Sequence, residues 1–191
     1  MVRRSAADAA ASRQRIVRSA SRLMREHGYA GAGIDAIVRD ADLTPGAFYR
    51  HFASKADLFA EVVNEALAEA ERHLPAIDTA ADVQAFVNFY LSNKAVRELG
   101  AGCIVAAMSA DLARDGSGAR EAAGRYIALI HERIAIALGK EGGADGEENA
   151  WRLVAQLIGG LVVARILPSA LAKTALVSAK TLASPPSLRQ A

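Results

Sequence analysis

A single cysteine, Cys103, stands among 191 residues. No disulfide can close within the chain, and a reducing compartment is the expected setting. Aromatic residues make up only 5% of the chain, there is no Asn-Gly hairpin turn, and alternating β-branched runs are scarce. A sheet-based fold is therefore not expected. The opening MVRRSAADAAASRQR lacks the leucine-rich stretch of a secretory leader. The longest apolar run, near Leu157 to Leu167, is interrupted by Arg165 and is too short to span a bilayer. These absences make the cytoplasm the expected location. The histidines His27, His51, His73 and His131 show no metal-ligand spacing, and no metal or cofactor is expected. No P-loop, GxSxG elbow or evident acid–base pair occurs in the C-terminal half.

What is present is a 52% hydrophobic chain rich in Ala, Leu, Val and Ile, enough for a sizeable core. The length suits one large domain or a small domain fused to a larger one. Net charge is only +2 but unevenly spread: ten basic against six acidic residues leave the first 60 at +4, and the remainder carries −2. That asymmetry points toward a polyanion at the N-terminal end.

The periodicity predicts an all-α protein of about nine helices. The first runs from about 8 to 27 with Ile16, Ala20, Leu23 and Met24 on one face, closed by His27-Gly28. A short helix covers Ile34 to Ala41. After Asp42-Leu43, Thr44 reads as an N-cap and Pro45 as the first residue of a helix reaching about His51. Ser54-Lys55-Ala56-Asp57 reads as a capping box opening a fourth helix that ends at Leu74-Pro75. Thr79 to about Leu99, Cys103 to Arg114 and Ser117 to Leu138 follow, separated by glycine-bearing connections. A long helix from about Gly146 to Leu167 is stopped by Pro168, and a last one spans Ser169 to Ala183. The expected division is a small helical domain at 1–60, with a two-helix motif at about 33–52, a larger helical domain at 61–183, and a flexible tail at 184–191.

Two short helices joined by a tight connection, the second opening Thr-Pro-Gly, form a helix-turn-helix pattern. A helix N-terminus offers N–H groups and partial positive charge to an anion. Gly46 adds no side chain there, so a phosphate backbone can come close. Phe48 and Phe52, at i and i+4, share a face and should anchor the short helix. Tyr49, Arg50 and His51 then project elsewhere, and Lys55 reaches the same side. The competing reading is a packed aromatic corner with incidental polar neighbours.

From about Arg15 to Val63 the chain resembles the TetR family of bacterial transcriptional regulators. The resemblance rests on Gly28-Tyr29, on Ile37-Val38, and on LTPGAFYRHF from Leu43 to Phe52 followed by SKADLF from Ser54 to Phe59. It implies a dimer with an N-terminal DNA-binding domain and a variable C-terminal ligand-binding domain. It further implies that Thr44, Pro45 and Gly46 open a recognition helix in the major groove. Tyr49, His51 and Lys55 would hold phosphates, while Arg50 would touch a phosphate or a base edge. One departure stands out: Ala32-Gly33-Ile34 replaces the hydroxyl residue usual at the start of the second helix, leaving Gly33 to offer only a backbone N–H. Basic residues from Arg3 to Arg18 are either extra phosphate contacts or a solvated face.

Beyond Pro75 the resemblance is generic. Trp151, Val154, Ile158, Leu161 and Arg165 form one stripe, and Leu153, Leu157, Gly160 and Ala164 a second. A helix apolar on more than one face must be buried on more than one side. With Leu171, Ala175, Leu176, Ala179 and Leu182 of the last helix, and with Gly159-Gly160 permitting close approach, this pair is expected to form a four-helix dimer interface. An ordinary intramolecular core is the alternative. Phe86, Phe89, Tyr90, Cys103, Met108, Tyr126 and His131 are candidates to line a pocket for an apolar or aromatic effector, against a plain-core reading of each. Gly102-Cys103 at a helix start also resembles an electrophile-responsive branch of the family, with a buried pocket thiol as the alternative.

The expected function is a ligand-responsive, DNA-binding repressor reading a pseudo-palindrome as a homodimer. The alternatives are an all-helical enzyme and a chaperone-like interaction module.

Overall fold

A computed structural model describes residues 6–139 and 146–183. The arginines at positions 3 and 4 and the tail at 184–191 lie outside the described residues. Ten α-helices and one 3-10 turn make up the described chain, and no strand occurs among these residues. None of its helices is long and apolar enough to cross a membrane.

The chain divides into two compact units. The first takes in residues up to Glu69 together with Leu99–Ala123; the second takes in Ala70–Glu98 and the residues from Gly124 on.

In the first unit, α1 (Ala6–Gly31) buries Ile16, Val17, Ala20 and Met24, the stripe that its 3.6-residue period predicts. Gly28 lies at φ 76°, a left-handed conformation, and breaks the helix where the sequence predicts its end. One further turn, closed by Ala32 N–H donating to the Gly28 carbonyl, follows the break. Helix α2 (Ile34–Asp40) buries Ile37 and Val38, and α3 (Pro45–Phe48) buries Ala47 and Phe48. Helix α3 is shorter than the sequence suggests: it ends at Phe48, and the chain continues in turns closed by the His51 and Phe52 N–H groups on the Phe48 carbonyl. Helix α4 (Lys55–Arg72) supplies Leu58, Phe59, Val62 and Val63 to the same core. Its start keeps half of the predicted capping box, the Asp57 N–H donating to Ser54 Oγ at 3.1 Å. Helix α7 (Ile104–Ala113) packs on α1.

The second unit begins with α5 (Ala80–Tyr90), whose Thr79–Asp82 capping box is complete. The single helix expected from Thr79 to Leu99 is two. Leu91 leaves helical geometry, and Ser92 caps α6 (Asn93–Arg97) by accepting from the Ala95 N–H. A 3-10 turn at Leu99–Ala101 belongs to the first unit. Helix α8 (Ala119–Gly139) crosses from the first unit into the second, which α9 (Gly146–Ile166) and α10 (Ser169–Ala183) complete.

Helices α9 and α10 pack closely, and Gly160 is where they meet. A Cβ there would stand 2.8 Å from Ala179 Cβ and 3.4 Å from Leu91 Cδ2. Gly160→Ala should therefore cost about 1–3 kcal/mol through overpacking. Urea denaturation checks this, and an unchanged midpoint would show that the helices separate freely.

Candidate nucleic-acid interface

The α2–α3 corner is built from inside outward. Phe48 is fully buried, Phe52 nearly so, and their rings lie 5.7 Å apart, tilted. The guanidinium of Arg13 sits 5.1 Å from the Phe52 ring centroid and pairs with Glu61 at 2.6 Å. This pins α1 to α4 beside the corner. The pairing also holds the Glu61 carboxyl below the usual carboxylate range, chiefly through the Arg13 hydrogen bond. Ser19 donates to Asp40 Oδ2 at 2.5 Å, with the Ile37 carbonyl also within reach at 3.1 Å, and Arg22 reaches Asp40 Oδ1. The Asp40 carboxyl is pushed down mainly by Ser19. Arg15 bonds both the carbonyl and the carboxylate of Asp42, a residue held at φ 52°. Thus Arg13 and Arg15, candidates for extra phosphate contacts, are engaged in tying α1 to its neighbours.

The outer surface of the corner carries the predicted DNA residues. Thr44, Pro45, Gly46, Tyr49 and Arg50 are exposed, Tyr49 by 64%. Thr44 occupies the N-cap position in extended geometry, but its hydroxyl makes no cap bond. Gly46 has no positive φ, and a Cβ there meets nothing within 4 Å. Neither backbone strain nor internal packing requires glycine at this position; the open space lies outside. Gly33, the N-cap of α2, is likewise open and makes no side-chain cap. Arg50 Nε donates to the Gly46 carbonyl at 3.4 Å, a long bond that leaves the guanidinium at the surface.

The other two candidate residues are held inward. The Ser12 hydroxyl donates to the Ala9 carbonyl at 2.9 Å, so in its 2.8 Å contact with His51 Nε2 the ring nitrogen is the donor. A phosphate contact through that nitrogen needs this bond to break. Lys55 Nζ lies 4.6 Å from the centroid of the Tyr29 ring. Burial lowers the Lys55 pKa, and Asp111 partly restores it.

The effector candidates are divided between the two units. Cys103 and Met108 belong to the first unit, the others to the second. Cys103 is half-buried at the N-cap of α7, and Met108 is buried at a kink in that helix. Phe86 is buried, its ring centroid 6.0 Å from that of the half-buried Tyr90, but Phe89 is 73% exposed and turns away from them. Tyr126 is half-buried. His131 stacks on Trp151 at 4.0 Å and donates from Nε2 to the Glu147 carbonyl.

The stripe expected on α9 to form an interface divides between buried and exposed positions. Val154 and Leu161 are buried inside the second unit, Arg165 donates to the Ala95 carbonyl at 2.9 Å, and Ala179 lies against Gly160. These four are engaged within the second unit, Val154 and Leu161 in its core and Arg165 and Ala179 half-buried at its edge. Trp151 and Leu171 are exposed, and Ile158 and Ala175 are half-buried. Sequence reasoning missed Val163, Ile166 and Val177, all exposed. Together with Trp151, Ala155 and Gly159, the exposed residues of α9 recur at near-helical spacing, which was readable as a third stripe.

Comparison with known proteins converges on this corner. Residues 16–62 match the family described as "Bacterial regulatory proteins, tetR family". The HTH-type transcriptional regulator AcrR of Shigella flexneri is 37% identical over 62 residues, 32% of this chain and 29% of that protein. The HTH-type transcriptional repressor DhaR of Mycobacterium sp. (strain GP1) is 28% identical over 102 residues, 52% of each chain. The chain thus spans less than a third of AcrR and about half of DhaR. The reduced form of E. coli NemR shares the fold with a TM-score of 0.73 at 20% identity, over 92% of this chain and 98% of that one. A TetR-family regulator from Agrobacterium tumefaciens does so with a TM-score of 0.74 at 16% identity, over 89% and 98%. Residues 16–62, within α1 to α4, thus carry the match to the TetR family, and over the rest of the chain the likeness to solved TetR-family regulators is one of fold.

Proposed function

We propose that the chain is a DNA-binding repressor that reads a pseudo-palindromic operator as a homodimer and is released by a small, mainly apolar effector. The observation that carries this reading is the outer surface of the α2–α3 corner. Thr44, Pro45, Gly46, Tyr49 and Arg50 lie open on a rigid apolar seat, within the segment that matches the family. Arg50 is the residue for a phosphate or a guanine edge, since its fork geometry suits both. Tyr49 and Lys55 hold phosphates, and His51 joins them once released from Ser12. The name of DhaR favours repression over activation. A twofold particle places two such corners one helical turn of DNA apart, about 34–36 Å. The exposed apolar residues of α9 and α10, Trp151, Val163, Ile166, Leu171 and Val177, are the surface for the second copy. An effector acts by preferring the protomer arrangement that does not fit DNA, and shifts binding only by that preference. The work takes place where the chromosome is, in the cytoplasm.

Pull-down of genomic fragments by the purified protein tests the reading. Enrichment of a few fragments sharing an inverted repeat is expected. Recovery of no fragment above background at moderate salt would contradict it.

A further inference from the structure

Helix α2 runs into a turn that carries the only non-glycine residue with positive φ among the described residues, Asp42 at φ 52°. Two hydrogen bonds define that turn. The Asp42 N–H donates to the Arg39 carbonyl at 3.0 Å, and the Leu43 N–H to the Val38 carbonyl at 2.8 Å. This paired closure ends many helices, and glycine usually fills its left-handed position because a Cβ is strained there. Here an aspartate fills it, two residues before Thr44, the N-cap of α3. The direction in which α3 leaves α2 is therefore set at a strained residue.

A carboxylate at this place is unfavourable for a second reason. The C-terminal end of a helix bears partial negative charge, which repels an anion and attracts a cation. Arg15, on α1, supplies the cation. Its Nη2 donates to the Asp42 carbonyl at 2.9 Å and to Asp42 Oδ2 at 3.2 Å. One guanidinium nitrogen thus holds both the backbone and the side chain of the left-handed residue. Arg15 also continues the face of α1 that carries Ser19 and Arg22, at i, i+4 and i+7, and those two hold Asp40.

We propose that Arg15 is a positioning residue for α3: from α1 it stabilises the left-handed turn at Asp42, and so fixes the exit of the DNA-facing helix before any DNA is met. The inference rests on the DNA-binding reading above. It separates Arg15 from the phosphate ligands, although its charge alone would place it among them.

The test is a double-mutant cycle of Arg15→Met and Asp42→Gly in the full-length chain, with a duplex drawn from the enriched fragments. Methionine keeps an apolar stem and a high helix propensity while removing the donors. The pair is exposed, which sets the scale of the effect. Arg15→Met should weaken binding about three- to fivefold, as loss of an exposed ion pair does. The slope of log K against log salt should stay unchanged. Asp42→Gly, which relieves the left-handed strain, should recover the loss in the Arg15→Met background. In the otherwise native chain it should change binding by less than about 1.5-fold, well inside that scale. An equal gain in both backgrounds would mean only that a negative charge near DNA was lost, and would overturn the proposal. So would binding that Arg15→Met leaves unaffected, or a slope shallower by about 0.9 per protomer, the mark of a lost phosphate contact.

A second arm needs no DNA. Exchange of the Leu43 amide hydrogen reports opening of the turn, since that N–H closes on Val38. Its protection should fall about three- to fivefold in Arg15→Met and return when Asp42→Gly is added. Protection that is the same with and without Arg15 overturns the clamp. Should protection follow the expected pattern while the protein binds no DNA at all, the functional reading fails and the clamp stands.

Discussion

Phe48→Ala is expected to be the most damaging single change to the first unit, costing about 3–5 kcal/mol of stability. The side chain is fully buried, packs edge-on against Tyr49 with centroids 5.1 Å apart, and tilts against Phe52. Helix α3 is a single turn and has almost no stability of its own, since nucleation costs more than one hydrogen bond returns. Its position therefore depends on this aromatic anchor rather than on its backbone. Loss of the ring leaves a cavity that α1 and α4, tied by Arg13 and Glu61, cannot easily collapse to fill. Urea denaturation at fixed protein concentration reads the loss. Destabilisation below about 1 kcal/mol would mean that α3 is held by something other than Phe48, since well-buried aromatic truncations cost several times that.

The second large effect concerns pairing of protomers. Ile166 is 77% exposed and Val163 48%, both on α9, while Val177 on α10 is 64% exposed. If this surface meets a second copy, the combined change Val163→Glu and Ile166→Glu buries unpaired carboxylates at the contact, twice by symmetry. An uncompensated charge in an apolar contact costs several kcal/mol. The dimer dissociation constant should rise at least about 100-fold, equivalent to about 2.7 kcal/mol. Sedimentation velocity should then find monomers, folded because both side chains point away from the core. A variant that still sediments as a dimer would place the pairing surface elsewhere. Val154 or Leu161 would make a poor probe, since both are buried within the protomer and their loss reports on folding.

Much of the first unit was legible in the sequence because its cues are local. Gly28 marks the break in α1, Thr44-Pro45 the entry to α3, and Ser54 the entry to α4. The spacing of Phe48 and Phe52 identified the anchors. The extent of α3 was less legible. Tyr49 keeps helical dihedrals, and the chain then closes on the Phe48 carbonyl in turns that residue types alone do not separate from helix. The break at Leu91 was missed for a different reason. It carries no Gly or Pro, and its one cue is Ser92, whose hydroxyl caps the next helix.

The inward engagement of His51 and Lys55 could not be read from spacing at all. It depends on Ser12, 39 positions from His51, and on Tyr29, whose ring the fold brings under the Lys55 ammonium. On α9 the apolar pattern was visible, but two buried stripes and one exposed stripe look alike in sequence. Only the position of α10 decides which residues remain outside.

The central claim is that the α2–α3 corner and the start of α4 grip a phosphate backbone, twice per particle. It is tested most directly by the salt dependence of binding to an enriched fragment, measured for wild type and for the combined change Tyr49→Phe and Lys55→Ala. The account predicts a steep fall of log K with log salt in wild type. The variant should bind more weakly, with a slope shallower by about 1.8, or 0.9 for each of two lysines. Equal affinity and equal slope in the two proteins would contradict it.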